Sequence, residues 1–276
     1  MLPGTSIPGG IPPVPGGLVG HASLSSRGAD MIRFAGRGIL LDIEGTTASV
    51  RFVREELTAY ARQQLYTFLR MRWNDPEVRE ARDLIARDAG AESFLTFGGG
   101  PHVPPEYMFR KLREHVSHLM TTDAKSAGLR QLQGLIWRDG FQRGELRSHL
   151  YDDVPLALDA WVAAGRAVRI YSSGSMLAQQ LYFKHSRFGD LSKQLGGYYD
   201  LTLGPKQEPA SYQAIAADWQ LPPGEILFVG DEVAELDAAR TAGLATALAV
   251  RPEGHASEDR THDHPVLTSL LEIELN

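Results

Sequence analysis

Four stretches of this chain carry side chains that could do chemistry together. In Gly38-Ile39-Leu40-Leu41-Asp42-Ile43-Glu44-Gly45-Thr46-Thr47 an apolar run ends in two carboxylates one residue apart, then in glycine and two threonines. Tyr171-Ser172-Ser173-Gly174-Ser175 offers hydroxyls and backbone amides at a predicted helix start, a natural place for a phosphate. Lys206 adds a cation between a predicted strand and a predicted helix. Ile226-Leu227-Phe228-Val229 ends in Gly230-Asp231-Glu232. Asp42 and Asp231, from different strand ends, could share a magnesium ion, a hard cation that takes carboxylate, carbonyl and water oxygens. A carboxylate nucleophile, charge neutralisation and donors for equatorial oxygens are the needs of phosphoryl transfer. Without the metal and Lys206, Asp42 would repel a dianionic phosphate.

These residues are far apart in sequence, so a sheet must gather them. Apolar runs bounded by turn residues predict buried strands at Ile39–Leu41, Ala167–Tyr171, Tyr198–Leu203, Ile226–Val229 and Thr246–Val250. Between the later strands, helices are predicted over 155–164, from Ser175 to Lys184, over 210–219 and over 234–242. Such alternation implies a doubly wound parallel α/β sheet, with ligands at the carboxyl ends of its strands. The segment 53–147 is different. Val53, Leu57, Tyr60, Ala61, Leu65, Phe68 and Leu69 recur at helical steps, and Pro76 suits a first helical position. A further helix runs through Tyr107, Phe109, Leu112, Val116 and Leu119. Asp123 is the expected N-cap of a last one carrying Leu129, Leu132, Leu135 and Ile136. The expected organisation is a core of 37–52 and 148–276 with a mostly helical cap, 53–147, inserted after the first strand.

Composition narrows the classes. The chain has 276 residues, 43% hydrophobic and 22% charged, as ordinary globular domains do. A net charge of -6 without a dense basic run argues against a nucleic-acid partner. The absence of cysteine excludes disulfides, thiolate metal sites and a cysteine nucleophile. No apolar run approaches the roughly 20 residues that span a bilayer, and a cytoplasmic location is expected. Residues 1–36 are punctuated by Pro and Gly and carry few large apolar groups; they are expected to be a disordered tail.

Asp42-x-Glu44-Gly45-Thr46, Ser172-Ser173, Lys206 and Gly230-Asp231-x3-Glu235 resemble the four motifs of the haloacid dehalogenase superfamily, in order. Gly134-Leu135-Ile136-Trp137, Ser211-Tyr212 and Ala234-Glu235-Leu236-Asp237-Ala238-Ala239-Arg240 extend the resemblance to one branch. That branch is the acireductone synthases, the enolase-phosphatases of methionine salvage. The resemblance covers about Gly38 to Arg251. It implies one magnesium ion per subunit and conversion of 2,3-diketo-5-methylthiopentyl-1-phosphate, through its enol phosphate, to acireductone and inorganic phosphate. It further implies Asp42, Asp231 and the backbone carbonyl of Glu44 as metal ligands, Asp42 as nucleophile and Glu44 as acid–base. Ser172, Ser173 and Lys206 would hold the substrate phosphate, and the enzyme would be a monomer. One departure stands out: Gly230 precedes Asp231 where many members of the branch have serine.

Blander readings exist for each residue. Asp42 alone could cap a turn, Ser172 and Ser173 could cap a helix, and Lys206 could be a solvated surface lysine. Four motifs in order outweigh them together. Glu235 is read as orienting the Asp231 loop or a neighbouring donor rather than binding the metal, Glu232 as pointing away from the metal and Asp237 as a helix-surface acid. His262-x-His264, His255 and the pair His115 and His118 lack carboxylates at ligand spacing and are read as solvated or core residues. Trp137 is read as core, and Arg138 as reaching the substrate if the inserted segment closes over the site. The alternative function is another magnesium-dependent phosphatase of the superfamily, acting on a different small metabolite. A binding protein that has lost turnover is a further alternative.

Overall fold

In β2 (Gly38–Leu41) alternate side chains enter different cores, which is why an uninterrupted apolar run can be a strand. Ile39 and Leu41 join one buried cluster, with Val168, Ile170, Leu227 and Val229. Leu40 joins the other, with Tyr171, Phe228 and Leu248. The structure, a computed structural model, describes residues 1, 31–122, 124, 126–252 and 262–276, without the side chains of residues 53 and 54. Met31–Asn276 group as one compact unit.

Before β2 lies β1 (Ile32–Phe34). After it, a wide π-type turn at Phe52–Leu57 leads into α1 (Thr58–Arg72), α2 (Pro76–Asp88), α3 (Phe94–Gly98), α4 (Pro105–Thr121) and α5 (Ala127–Gln142). The alternation then runs α6 (Asp153–Ala163), β3 (Ala167–Tyr171), α7 (Met176–Lys184), β4 (Gly197–Tyr199) and α8 (Pro209–Trp219). It ends with β5 (Ile226–Gly230), α9 (Val233–Thr241), β6 (Ala245–Ala249), β7 (Val266–Leu267) and β8 (Ile273–Leu275).

Six strands form one parallel sheet in the order β4-β3-β2-β5-β6-β7. The chain winds outward from β2 to β4, then returns to the other side of β2 with β5. The strand order therefore reverses at the β2–β5 boundary, where a crevice opens at the carboxyl ends of doubly wound sheets. Helices α6 and α7 cover one face, through Leu158, Trp161, Leu181 and Phe183. Helices α8 and α9 cover the other, through Tyr212, Ile215 and Leu236. Helices α1 to α5 pack on a third cluster that includes Leu65, Phe68, Ile85, Leu112, Leu132 and Ile136.

Three expectations need correction. The predicted tail ends too late: residues 2–30 lie outside the described residues, but Ile32–Phe34 pair in parallel with Ile273–Leu275. The strand predicted at Tyr198–Leu203 stops at Tyr199, because Asp200 turns the chain by accepting from the amide and hydroxyl of Thr202. Helix α5 is capped by Ser126, whose hydroxyl accepts from the Leu129 amide at 3.0 Å; Asp123 lies outside the described residues.

Candidate active site

Leu41 pairs across the sheet with Ile170 on one side and Val229 on the other. The Asp42 amide continues the ladder, donating to the Val229 carbonyl at 3.0 Å. That bond ends the strand, and the chain folds at once: the amides of Thr46, Thr47 and Ala48 all return to the Ile43 carbonyl. Gly45 has φ +71° and lies against Asp231; a Cβ there would fall 1.8 Å from Asp231 Oδ2. A side chain at position 45 is therefore excluded twice, by backbone conformation and by the carboxylate it would strike. Alanine at Gly45 is expected to lower stability by about 1–3 kcal/mol and to push Asp231 aside. If Asp231 binds magnesium as the family resemblance implies, the variant should require more metal for half-maximal phosphate release, and an unaltered titration would show that Asp231 has not moved.

The turn is also held from outside. Buried Arg251 donates Nε to the Thr46 carbonyl at 2.9 Å and Nη1 to the Thr268 carbonyl at 2.7 Å. Its Nη2 stands 2.8 Å from Asp153 Oδ2. The Tyr151 amide takes the Thr47 carbonyl at 3.0 Å.

Lys206 is 6% exposed and lies between two acids. Its Nζ is 2.8 Å from Asp42 Oδ1 and 2.5 Å from Glu235 Oε2. Burial works against the ammonium, but the two carboxylates outweigh it and raise its pKa above the ordinary 10.5. Burial pushes the Glu235 carboxyl up to about 8; Lys206 pulls it back in part and Asp42 adds to the rise. Both shifts have one origin, since a buried group of one cation and two carboxylates holds on to protons. The loop before Lys206 is pinned by its carbonyls. Tyr171 Oη donates to Gly204 O at 2.8 Å and Ser211 Oγ to Pro205 O at 2.7 Å.

Ser172 is buried at the end of β3, its amide donating to the Tyr199 carbonyl at 3.2 Å. Ser173 is exposed. Ser175 caps α7, its hydroxyl accepting from the Ala178 amide. Buried Gln179 ties the turn down, donating to the carbonyls of Gly174 at 2.7 Å and Tyr199 at 2.8 Å. Asp42, Glu44, Ser172, Ser173, Lys206 and Asp231 all line one cleft of about 690 Å³, and Glu232 and Glu235 line it too.

A family model of haloacid dehalogenase-like hydrolases matches residues 37–243. The chain is 45% identical over 214 residues to the enolase-phosphatase E1 of Synechococcus elongatus, covering 78% of this chain and 88% of that one. It is 35% identical to the Anopheles gambiae enolase-phosphatase E1, covering 91% and 86%. The chain belongs to the enolase-phosphatase E1 family of haloacid dehalogenase-like hydrolases. Among solved structures it resembles the UTR4 protein of Saccharomyces cerevisiae, with TM-score 0.68 and 30% identity over 85% of this chain and 98% of that one. The CbbY crystal structure from Rhodobacter sphaeroides shares the fold, with TM-score 0.52 and 19% identity over 86% and 96%.

As members of this family of hydrolases the residues above can be tested against a hard cation. Among the described residues no group of three or more His, Asp or Glu side chains could hold a metal ion. The donor set at the crevice is two carboxylates, Asp42 and Asp231, beside the backbone of the Glu44 turn, which leaves places for water and substrate oxygens. That set fits magnesium, which usually keeps several waters and binds through one or two carboxylates. The glycine at position 230 also has a local cause. A Cβ there would stand 3.0 Å from the Phe228 ring, so serine would require the ring to move.

Other expectations resolve plainly. His264 is buried, with Nδ1 2.8 Å from Thr246 Oγ1 and Nε2 3.1 Å from Asp237 Oδ1. Asp237 therefore does more than face solvent: it bridges His264 and Arg240. His255 lies outside the described residues. Trp137 is only half-buried and lines the cleft, its Nε1 donating to the Leu57 carbonyl at 2.9 Å. The largest correction concerns Arg138. It forms a two-pronged pair with Glu77 on α2 and does not line the cleft. Helix α5 turns Arg130, Gln133 and Trp137 to the cleft instead. Their spacing of three, then four, is one helical face, and Arg138 lies about 100° away from it.

Proposed function

We propose that this enolase-phosphatase E1 family member is a magnesium-dependent enzyme that converts 2,3-diketo-5-methylthiopentyl-1-phosphate to acireductone and inorganic phosphate. The convergence of Asp42, Ser172, Lys206 and Asp231 on one cleft at the reversal point of the sheet carries this reading. Magnesium held by Asp42, Asp231 and the Glu44 carbonyl supplies charge neutralisation beside the phosphate.

The chain's own groups do the rest. Ser172 and the start of α7, with Ser173, hold the phosphate oxygens. Lys206 holds Asp42 in place through their ion pair and adds positive charge. Asp42 attacks phosphorus in line while Glu44 gives its proton to the leaving enol oxygen; the P–O bond to that oxygen breaks as the Asp42–P bond forms. Glu44, now a carboxylate, takes a proton from water, which attacks phosphorus and frees Asp42 and phosphate. The segment from α1 to α5 serves as a cap whose own apolar cluster lets it fold as a block beside the cleft. The same reading takes the enzyme as cytoplasmic, from its composition, and as a monomer, from family resemblance.

An anaerobic ultraviolet time course with the diketo phosphate, beside a phosphate assay, tests the reaction. With magnesium, enediol absorbance and phosphate should rise together, and a chelator should stop both. Phosphate release from generic esters without any enediol signal would leave a phosphatase with a different substrate.

A further inference from the structure

We infer that Arg130 is a catalytic residue of the enolisation step, its guanidinium fork holding the two neighbouring oxygens of the 2,3-diketone as negative charge develops on one of them. This rests on the proposed substrate. The observation behind it is a cleft-lining cation with no direct hydrogen-bond or ion-pair partner among the described residues. Arg130 is exposed on the first turns of α5 and lines the cleft. Its guanidinium has no hydrogen-bond or ion-pair partner among the described residues. Other arginines of α5 and its C-terminal end are engaged: Arg138 with Glu77, and Arg143 with Asp139 and Glu145.

Stability does not explain its position. A cation near a helix N-terminus opposes the helix dipole. Among the described residues, an acid near that end, Asp88, is already engaged, accepting from the Ser126 hydroxyl and the Gly128 amide. The cleft gives it a reason. Its described lining carries Asp42, Glu44, Asp231, Glu232 and Glu235, against Lys206 and Arg130. Lys206 is held by Asp42 and Glu235, so Arg130 is the cation available to further negative charge on a substrate.

Its place along the cleft says which part of the substrate it meets. Trp137, fixed through Leu57, sets the rotation of α5 and keeps Arg130 on the cleft side two turns earlier. Arg130 and Trp137 also line a second, smaller chamber of about 160 Å³ that shares Glu44, Ser172 and Ser173 with the main cleft. Leu57, Phe141, Ala178 and Tyr182 give that chamber an apolar wall. Arg130 thus stands where a phosphate site gives way to an apolar chamber. A ligand with phosphate at one end and a thioether chain at the other has its vicinal oxygens between the two.

The chemistry suits a guanidinium better than an ammonium. Two parallel N–H groups match two adjacent coplanar oxygens, which a point charge cannot do. In the step itself the C1–H bond breaks and its proton passes to a cleft carboxylate. The bonding pair becomes the C1–C2 double bond, and the C2 carbonyl pair moves onto oxygen. Arg130 then faces an oxyanion where it had faced a neutral carbonyl, so it binds the transition state more strongly than the ground state.

The test compares two substrates in Arg130→Gln and Arg130→Lys, with magnesium present: the diketo phosphate and n-pentyl phosphate, which has no carbonyl to enolise. Arg130→Gln should lower kcat/KM for the diketo phosphate about 100-fold more than for pentyl phosphate. Exchange of the C1 proton with deuterated solvent, followed by NMR, should fall in parallel, and Arg130→Lys should restore only part of both. Equal losses on the two substrates, or full activity with lysine, would overturn the assignment while leaving the function standing. A wild-type protein that hydrolyses pentyl phosphate but neither exchanges C1 protons nor forms enediol would overturn the function and the role of Arg130 together.

Discussion

Asp42→Asn is expected to lower phosphate release by about 10⁴-fold or more, the scale on which loss of a nucleophile acts. Asparagine is nearly the same size and keeps a side-chain oxygen for Lys206, while Glu235 continues to neutralise that lysine. The backbone of position 42 is fixed by its bond to Val229, which the substitution does not touch. The thermal midpoint should therefore stay within about 5 °C of wild type. Phosphate release assayed beside a thermal melt separates the two effects. Turnover within tenfold of wild type in a folded variant would remove Asp42 as nucleophile.

The second large effect belongs to Lys206→Met, in which a chain of similar length loses its charge. Asp42 and Glu235 would then face each other, buried, without the cation between them. Breaking a buried ion pair by deleting one partner costs about 3–5 kcal/mol, because the charges left behind are neither hydrated nor neutralised. The pH dependence follows from the signs of the shifts. Lys206 has a folded pKa above its ordinary 10.5, so its contribution is complete below that value and is lost only as pH rises through the folded pKa. Wild type should show no loss from this lysine between pH 5 and 9. In the variant Glu235, already raised to about 8 by burial, loses the cation that restrained it. A carboxyl with a raised folded pKa loses stability as pH rises, so the variant's deficit should shrink on acidification from pH 8 toward 5. Urea denaturation at those two pH values is the measurement. A deficit that is flat with pH would mean that the lysine does not neutralise this pair.

Much of the site was legible before folding, because its parts are local. Strand β2 announces itself by Ile39-Leu40-Leu41, and the two acids and Gly45 that follow mark its end. β3 was predicted at its observed bounds, and β5 to within one residue, for the same reason. Buried strands are compact apolar runs, and turns punctuate them. β7 and β8 have no such run: two and three residues, respectively, depend for their structure on partners elsewhere. β1 is extended because β8, some 240 residues later, pairs with it.

The sequence alone therefore determined the residue types that can move a phosphoryl group, the strand ends that carry them and the alternation that makes the sheet doubly wound. Folding decided the relations between them. Nothing near Gly45 in sequence says that Asp231 will occupy the space of its missing side chain, and nothing near Lys206 says that it will divide itself between Asp42 and Glu235. Arg251 reaches the carbonyl of Thr46 across 205 positions. On α5 the apolar stripe of Leu129, Leu132 and Ile136 was readable, and it does enter the helical core. Such a stripe has two polar flanks, one with Arg130 and one with Arg138, and its periodicity treats them alike. Only packing against α2 and the Leu57 turn chose which flank would face the cleft, because a helix encodes its buried side locally but its rotation toward a distant site belongs to the partners it packs against.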